Sequence, residues 1–170
     1  MLFPIFDPAF WRERYEKNPD EIHRTVYHCS EGHFQAIAQA HKNILSRLVQ
    51  KGDTILDVGC GYGRLLDLLP EKPSMYVGFD LSPELIEEAK KRYPLFANSF
   101  LCYDIREVGE NSITSFTWAV LISIKQMVIG NAGQEAWENL QTHILKFCDQ
   151  ILILEYTTDE NEYEIIRRQT

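Results

Sequence analysis

The chain has 170 residues, enough for one domain with a sizeable core but not for two. Hydrophobic residues make up 45 % and charged residues 25 %, with no basic apolar leader and no apolar run long enough to span a bilayer, which argues against secretion and membrane insertion and for a cytoplasmic setting. A net charge of −8 lacks the basic balance that neutralises phosphates, and so argues against DNA or RNA as a partner.

The first thirty residues are aromatic and polar, with Phe3, Phe6, Phe10, Trp11, Tyr15 and Tyr27. Pro8 after Asp7 predicts a short helix carrying Trp11 and Tyr15 on one face. Residues 31–50 predict a stronger helix, because Phe34, Ile37, Ala38, His41, Ile44, Leu45 and Leu48 keep the helical period. His41 lies between Ile37 and Ile44 on that face and reads as a packed or boundary residue rather than a ligand. Gly52 and Asp53 end the helix.

Residues 55–58 are a short apolar run and predict a buried parallel strand. It runs into Gly59-Cys60-Gly61-Tyr62-Gly63, and a helical pattern begins at Leu65 and Leu66. Glycines at alternate positions permit a tight strand-to-helix turn on which a ligand can lie directly against the backbone. The helix behind it would point its free N–H groups at that ligand. The G-x-G-x-G spacing, behind Asp57, differs from the G-x-G-x-x-G of dinucleotide-binding turns.

The same grammar then repeats. Residues 76–79 predict a second strand closed by Asp80, after which Ser82 can cap a helix with Pro83 at its first position and Glu84 in its first turn. The run Lys90, Lys91 and Arg92 reads as a solvated face of that helix. Residues 99–103 predict a third strand, followed by Asp104. Asn111 and Ser112 mark a loop, and residues 116–123 form a near-continuous apolar fourth strand. Residues 132–147 predict a helix with Trp137, Leu140, Ile144 and Phe147 on one side. Residues 151–154 are the fifth strand, and a short charged helix over 160–168 is expected to close the chain. An acid at the end of the second strand can accept both hydroxyls of a ribose, so the whole pattern is that of an adenosine-binding half-sheet.

Across residues 45–156 the chain resembles the class I S-adenosylmethionine-dependent methyltransferases. The run from Ile55 through Asp57 to Gly63 looks like that family's first motif. Asp80 with Leu81 falls at its ribose-binding acid, and Asp104 with Ile105 falls where the family holds the adenine edge. The resemblance implies an α/β, Rossmann-like, doubly wound and mostly parallel sheet of strand order 3-2-1-4-5. It implies S-adenosyl-L-methionine as cofactor, held by Asp57, Gly59, Cys60, Gly61, Gly63, Asp80, Leu81, Asp104, Ile105 and Ser123, near the switch between strands 1 and 4. No metal is expected: Cys29, Cys60, Cys102 and Cys148 lie far apart, and the histidines lack a compact ligand pattern.

On this reading residues 1–50 form a helical lid or cap, 51–158 the cofactor-binding core and 159–170 the C-terminal helix of one domain. The family's antiparallel hairpin after strand 5 is expected to be missing, since few residues follow that strand. Strand 5 would then be an open edge that the C-terminal helix, the N-terminal segment or a second subunit, in a homodimer or with another partner, could cover.

Methyl transfer is an in-line displacement on an already activated sulfonium. The protein must mainly align the acceptor and exclude water, so a catalytic residue is hard to read from sequence. Trp11, Tyr15, Tyr27 and His28 are candidates to roof the cleft. Lys125 and Glu155 are candidates for orienting or deprotonating a substrate, each also readable as an ordinary surface residue. The absence of an Asp/Asn-Pro-Pro-Tyr/Phe motif again disfavours a nucleic-acid acceptor, and no appended domain offers itself for a large substrate. The reading is therefore a methyltransferase acting on a small molecule. Its rivals are a cofactor-binding partner or regulatory subunit without turnover of its own, and an aminopropyl transferase or lyase on the same fold. A nicotinamide-dependent oxidoreductase is disfavoured by the glycine spacing.

Overall fold

The structure, a computed structural model, describes residues 6–18, 29–109 and 115–169. Its centre is a six-stranded sheet built from β1 (Thr54–Val58), β2 (Met75–Asp80), β3 (Phe100–Cys102), β4 (Phe116–Ile122), β5 (Cys148–Leu154) and β6 (Tyr163–Arg167), in the order 3-2-1-4-5-6. The first five strands are parallel and β6 runs antiparallel to β5. Helices cover both faces: α1 (Pro8–Glu16), α2 (Glu31–Leu48), α3 (Leu65–Leu68), α4 (Pro83–Arg92), α5 (Lys125–Ala132) and α6 (Gln134–Ile144).

Side chains alternate along each strand, and both faces are dry. Leu56, Val58, Ala119, Leu121, Ile151 and Ile153 meet Trp137, Leu140 and Ile144 of α6. Ile55, Tyr76, Trp118, Val120, Leu152 and Leu154 meet Ile44 and Leu45 of α2, Leu65 and Leu68 of α3, and Ile86 and Ala89 of α4. Burial on both faces explains why the strands read as continuous apolar runs rather than alternating ones. Ser30, Ser82 and Asp7 cap α2, α4 and α1 by accepting from the backbone N–H of His33, Leu85 and Ala9.

Three expectations need correction. Residues 160–168 do not form a helix: Asp159 accepts from the Asn161 N–H at 2.9 Å and turns the chain back, and the β-branched pair Ile165 and Ile166 then fits a strand. The C-terminal hairpin is therefore present as the β5–β6 pair, with Leu152 opposite Ile165 and Leu154 opposite Tyr163. Strand 5 is accordingly not an open edge, and the reason for placing a second subunit there disappears. Glu160 secures the turn by accepting from Asn43 at 2.6 Å and from Arg47 at 3.1 Å, both on α2. Finally, the helix expected over 132–147 is present but shorter, as α6, since Gly133 at φ +87° ends the preceding run, and a further helix that was not expected, α5, stands before it. The loop expected at Asn111 and Ser112 lies outside the described residues. Among the described residues no helix is long and apolar enough to cross a membrane.

Candidate functional site

The carboxyl ends of β1, β2 and β4 open onto a cleft formed by two adjoining hollows, each with about 610 Å³ of atom-free space. The glycine turn makes its floor. Gly59 and Cys60 both donate backbone N–H groups to the Phe79 carbonyl, at 2.8 and 3.0 Å, which folds the turn over the end of β2. Gly59, Gly61 and Gly63 all have positive φ, of 74°, 53° and 82°, where a side chain is strained. Their neighbours differ. A Cβ on Gly59 would collide with the Ile124 side chain, and one on Gly63 would come within 2.8 Å of the Tyr93 ring and 2.9 Å of Phe100.

Asp80 stands where the two hollows meet and lines both. One carboxylate oxygen accepts from the Gly61 N–H and the other from the Ser82 N–H, each at 2.8 Å. Burial pushes its pKa up, and these backbone donors oppose the shift. Each oxygen keeps capacity for a further donor. Asp57, 2 % exposed, lies deeper on β1 and accepts from the Tyr76 hydroxyl at 2.7 Å. Burial raises it to about 7 against the pull of that hydrogen bond, with the Asp80 charge adding to the rise.

The first hollow is walled by Asp57, Gly59, Cys60, Gly61, Asp80 and Ser123, all expected from sequence, and by Tyr62, Arg64, Ile124 and Met127, which sequence reasoning missed. Ser123 has φ +59°, unusual for a residue other than glycine, and donates its N–H to the Leu154 carbonyl at 2.7 Å. The second hollow gathers Leu81, Asp104 and Ile105 as expected, with Phe6, Tyr103 and Leu140. Here the Asp104 carboxylate is already engaged: it accepts from the Arg106 guanidinium at 2.5 to 3.0 Å and from the Arg106 N–H at 2.9 Å. These hydrogen bonds hold its pKa down although partial burial pushes the other way. Arg106 in turn stacks over Phe6 at 4.1 Å.

Gly63 is the one expected site residue outside the lining; its glycine is needed for packing under Tyr93 and Phe100. Of the residues expected to roof the cleft, Trp11 of α1 lines both hollows. Tyr15 lines neither, and Tyr27 and His28 lie outside the described residues. Lys125 and Glu155 do not line the cleft. The Lys125 ammonium pairs with Glu164 on β6, and the Glu155 carboxylate accepts the Lys125 N–H at 3.1 Å, capping α5 from the end of β5.

Arg64 was the most legible of the missed residues, as a charge placed directly between the glycine turn and the apolar Leu65 and Leu66. It is only 8 % exposed, and its Nη2 donates to His41 Nδ1 at 3.2 Å. Ile124 and Met127 had no local signal, because α5 is weakly patterned and its cap comes from a distant strand.

The profile of a family described as "methyltransferase domain" matches residues 55–144. A provisionally named methyltransferase of Mycobacterium tuberculosis is 43 % identical over 61 residues, 33 % of this chain and 37 % of that one. Malonyl-[acyl-carrier protein] O-methyltransferase of Anoxybacillus flavithermus is 32 % identical over 91 residues, 52 % of this chain and 31 % of that protein. The matched segment thus spans about a third of the length of these curated relatives. Among solved structures, magnesium protoporphyrin IX methyltransferase of Synechocystis PCC 6803 with bound S-adenosylmethionine superposes with a TM-score of 0.58 at 17 % identity, over 86 % of this chain and 74 % of that one. Phosphoethanolamine N-methyltransferase 1 of Haemonchus contortus, holding phosphoethanolamine and S-adenosylhomocysteine, superposes with a TM-score of 0.59 at 15 % identity, over 90 % of this chain and 33 % of that one. At these identities the structural likeness speaks for the fold.

Proposed function

The chain belongs to the methyltransferase-domain family, and from that premise we propose that it transfers a methyl group from S-adenosyl-L-methionine to a small-molecule acceptor. The observation that carries the reading is the carboxylate of Asp80 at the junction of two hollows, beside a glycine turn. The residues fit an adenosyl group with an amino-acid tail. Asp80 has acceptor capacity left for a ribose, and the second hollow offers the apolar walls of Leu81, Ile105 and Leu140 to a flat base. The first hollow continues past Gly61 to Tyr62 and Arg64, the polar end that such a tail needs.

When bound, the cofactor supplies a methyl group already activated by a positive sulfur. The chain's own residues then have to align the acceptor and keep water out. Ser123, Ile124 and Met127 form the wall facing the glycine turn, and Trp11 closes the cleft over both hollows. Helix α1 is tied down by the ion pair of Arg12 with Glu84, at the start of α4. Support for a small acceptor comes from the neighbours named for magnesium protoporphyrin IX and phosphoethanolamine.

The test is to incubate the protein with methyl-labelled cofactor and a metabolite extract. S-adenosylhomocysteine and a labelled product should appear together. Methylthioadenosine in their place would replace methyl transfer by an aminopropyl transferase or lyase reaction. Tight cofactor binding without turnover across the extract would favour a regulatory subunit.

A further inference from the structure

Helix α5 brings the wall that faces the glycine turn, yet it has few holds of its own. Its one buried residue is Val128, and no side chain at its own start caps it. Ile124, immediately before it, rests on Gly59, where a Cβ would collide with it, and Ile124 and Met127 line both hollows. The hold comes from Glu155, just past β5. Its carboxylate accepts the Lys125 N–H at 3.1 Å, and its backbone carbonyl accepts from His41 Nε2 at 2.9 Å. That second bond puts the His41 proton on Nε2 and leaves Nδ1 to accept from Arg64 at 3.2 Å. His41 is fully buried on α2, and Arg64 directly follows the glycine turn. A closed circuit therefore runs from the turn through Arg64, His41 and Glu155 to α5, and back onto the turn through Ile124.

We propose that Glu155 is a positioning residue of the cleft and that His41 is the tie that fixes it, the two together setting how closely the α5 wall stands to the glycine turn. The inference rests on the adenosyl reading of the site. Neither residue lines a hollow, so the effect reaches a ligand through Ile124 and Met127. The chemistry suits the task. A carboxylate at a helix start satisfies an orphan N–H and complements the helix dipole. Burial pushes the Glu155 carboxyl up, and the N–H groups of Gln126 and Lys125 with the Lys125 charge oppose that rise, so the carboxylate is aimed at the helix start. His41, depressed to about 4 by burial and by Arg64, is neutral at pH 7 and keeps its donor on the Glu155 carbonyl. Burial strengthens such a tie, because little water competes for its donors. Without it the start of α5 keeps the partly exposed ion pair of Lys125 with Glu164, which solvent weakens.

Two measurements separate this role from ordinary stabilisation. In ligand-free protein, well below the melting temperature, Glu155→Ala and His41→Phe should both speed amide hydrogen exchange over residues 125–128. In calorimetry with S-adenosylhomocysteine, the same two variants should bind roughly 3- to 30-fold more weakly than wild type, the range for residues that act on a ligand without touching it. Glu155→Gln, whose amide oxygen still accepts the Lys125 N–H, and His41→Gln, whose amide still donates to the Glu155 carbonyl, should both bind close to wild type. Ile144→Val, a core change that lines neither hollow, should lower the urea midpoint and leave the affinity unchanged. If the two residues form one tie, the double variant of Glu155→Ala with His41→Phe should lose less than the sum of the single losses. Circular dichroism and a cooperative urea transition certify that each variant is folded, and if His41→Phe does not fold, Glu155→Ala against Glu155→Gln decides alone. The proposal is overturned if Glu155→Ala binds as wild type does, if Glu155→Gln binds as weakly as Glu155→Ala, or if the single losses add. A wild type that does not bind S-adenosylhomocysteine takes down the adenosyl reading. The exchange measurement, made without ligand, then tests the tie by itself, and unchanged exchange in both variants overturns it.

Discussion

Two buried groups titrate in opposite senses under the glycine turn. Asp57, raised by burial to about 7, holds a proton in the folded protein that the unfolded chain has released above about 4. Its contribution to stability is full below that pH and is lost as pH rises through 7. His41, lowered by burial and by Arg64 to about 4, refuses in the folded state a proton that the unfolded chain accepts below 6.5. Its contribution is present above 6.5 and is lost as pH falls towards 4. Between those values the two slopes, each up to about 1.4 kcal/mol per pH unit, oppose one another. Over this window the urea midpoint of Asp57→Asn should therefore climb relative to wild type as pH rises, and that of His41→Gln should drop relative to wild type. Parallel profiles for all three proteins would contradict this account of the buried charges.

At the scale of elements, α5 shows where a sequence stops being legible. The five parallel strands, α2 and α4 carry their own signals, in apolar runs, helical period and the local caps Ser30 and Ser82. Helix α5 has no side-chain cap of its own, and Glu155, far along the chain, supplies one. The helix therefore depends on the fold being in place, and Ile124 and Met127 enter the cleft with it. Glu155→Ala should destabilise by about 1–2 kcal/mol, as loss of a cap does. Lys125→Ala, which breaks a partly exposed ion pair with Glu164, should cost less than about 1 kcal/mol. Equal costs in urea unfolding would mean that the carboxylate is not acting as a cap. The strand β6 was misread for a related reason: its charges suggested a helix, whereas its turn and its pairing with β5 are tertiary facts.

Helix α1 belongs to the same scale. It has no fully buried residue, yet Trp11 reaches both hollows and packs edge-on to Phe10 at 5.0 Å. A cover with little core of its own should matter more for binding than for folding. Deleting residues 1–18 should weaken S-adenosylhomocysteine binding while lowering the melting temperature little. Ligand should also change the protein's fluorescence, and that change should vanish in Trp11→Phe, since Trp118 and Trp137 are buried in the core. A signal that persists in Trp11→Phe, or a truncated protein that binds normally, would make α1 a packed helix with no part in the site.

Taken whole, the molecule opens its cleft where a parallel sheet reverses its winding, at the carboxyl ends of β1 and β4. That placement, the turn and Asp80 were readable because each is fixed by neighbours in sequence. The hydrogen bond of Arg64 with His41 and the α5 wall were not, because each joins segments far apart in the chain. The central claim is that Asp80 anchors an adenosyl ligand in this cleft. Titration of S-adenosylhomocysteine into wild type and Asp80→Ala tests it most directly. Wild type should bind, and Asp80→Ala, with an unchanged circular dichroism spectrum, should lose about 1.5–3 kcal/mol of affinity, the range for hydrogen bonds to a charged group. A folded Asp80→Ala with wild-type affinity, or a wild type that does not bind, would contradict the account.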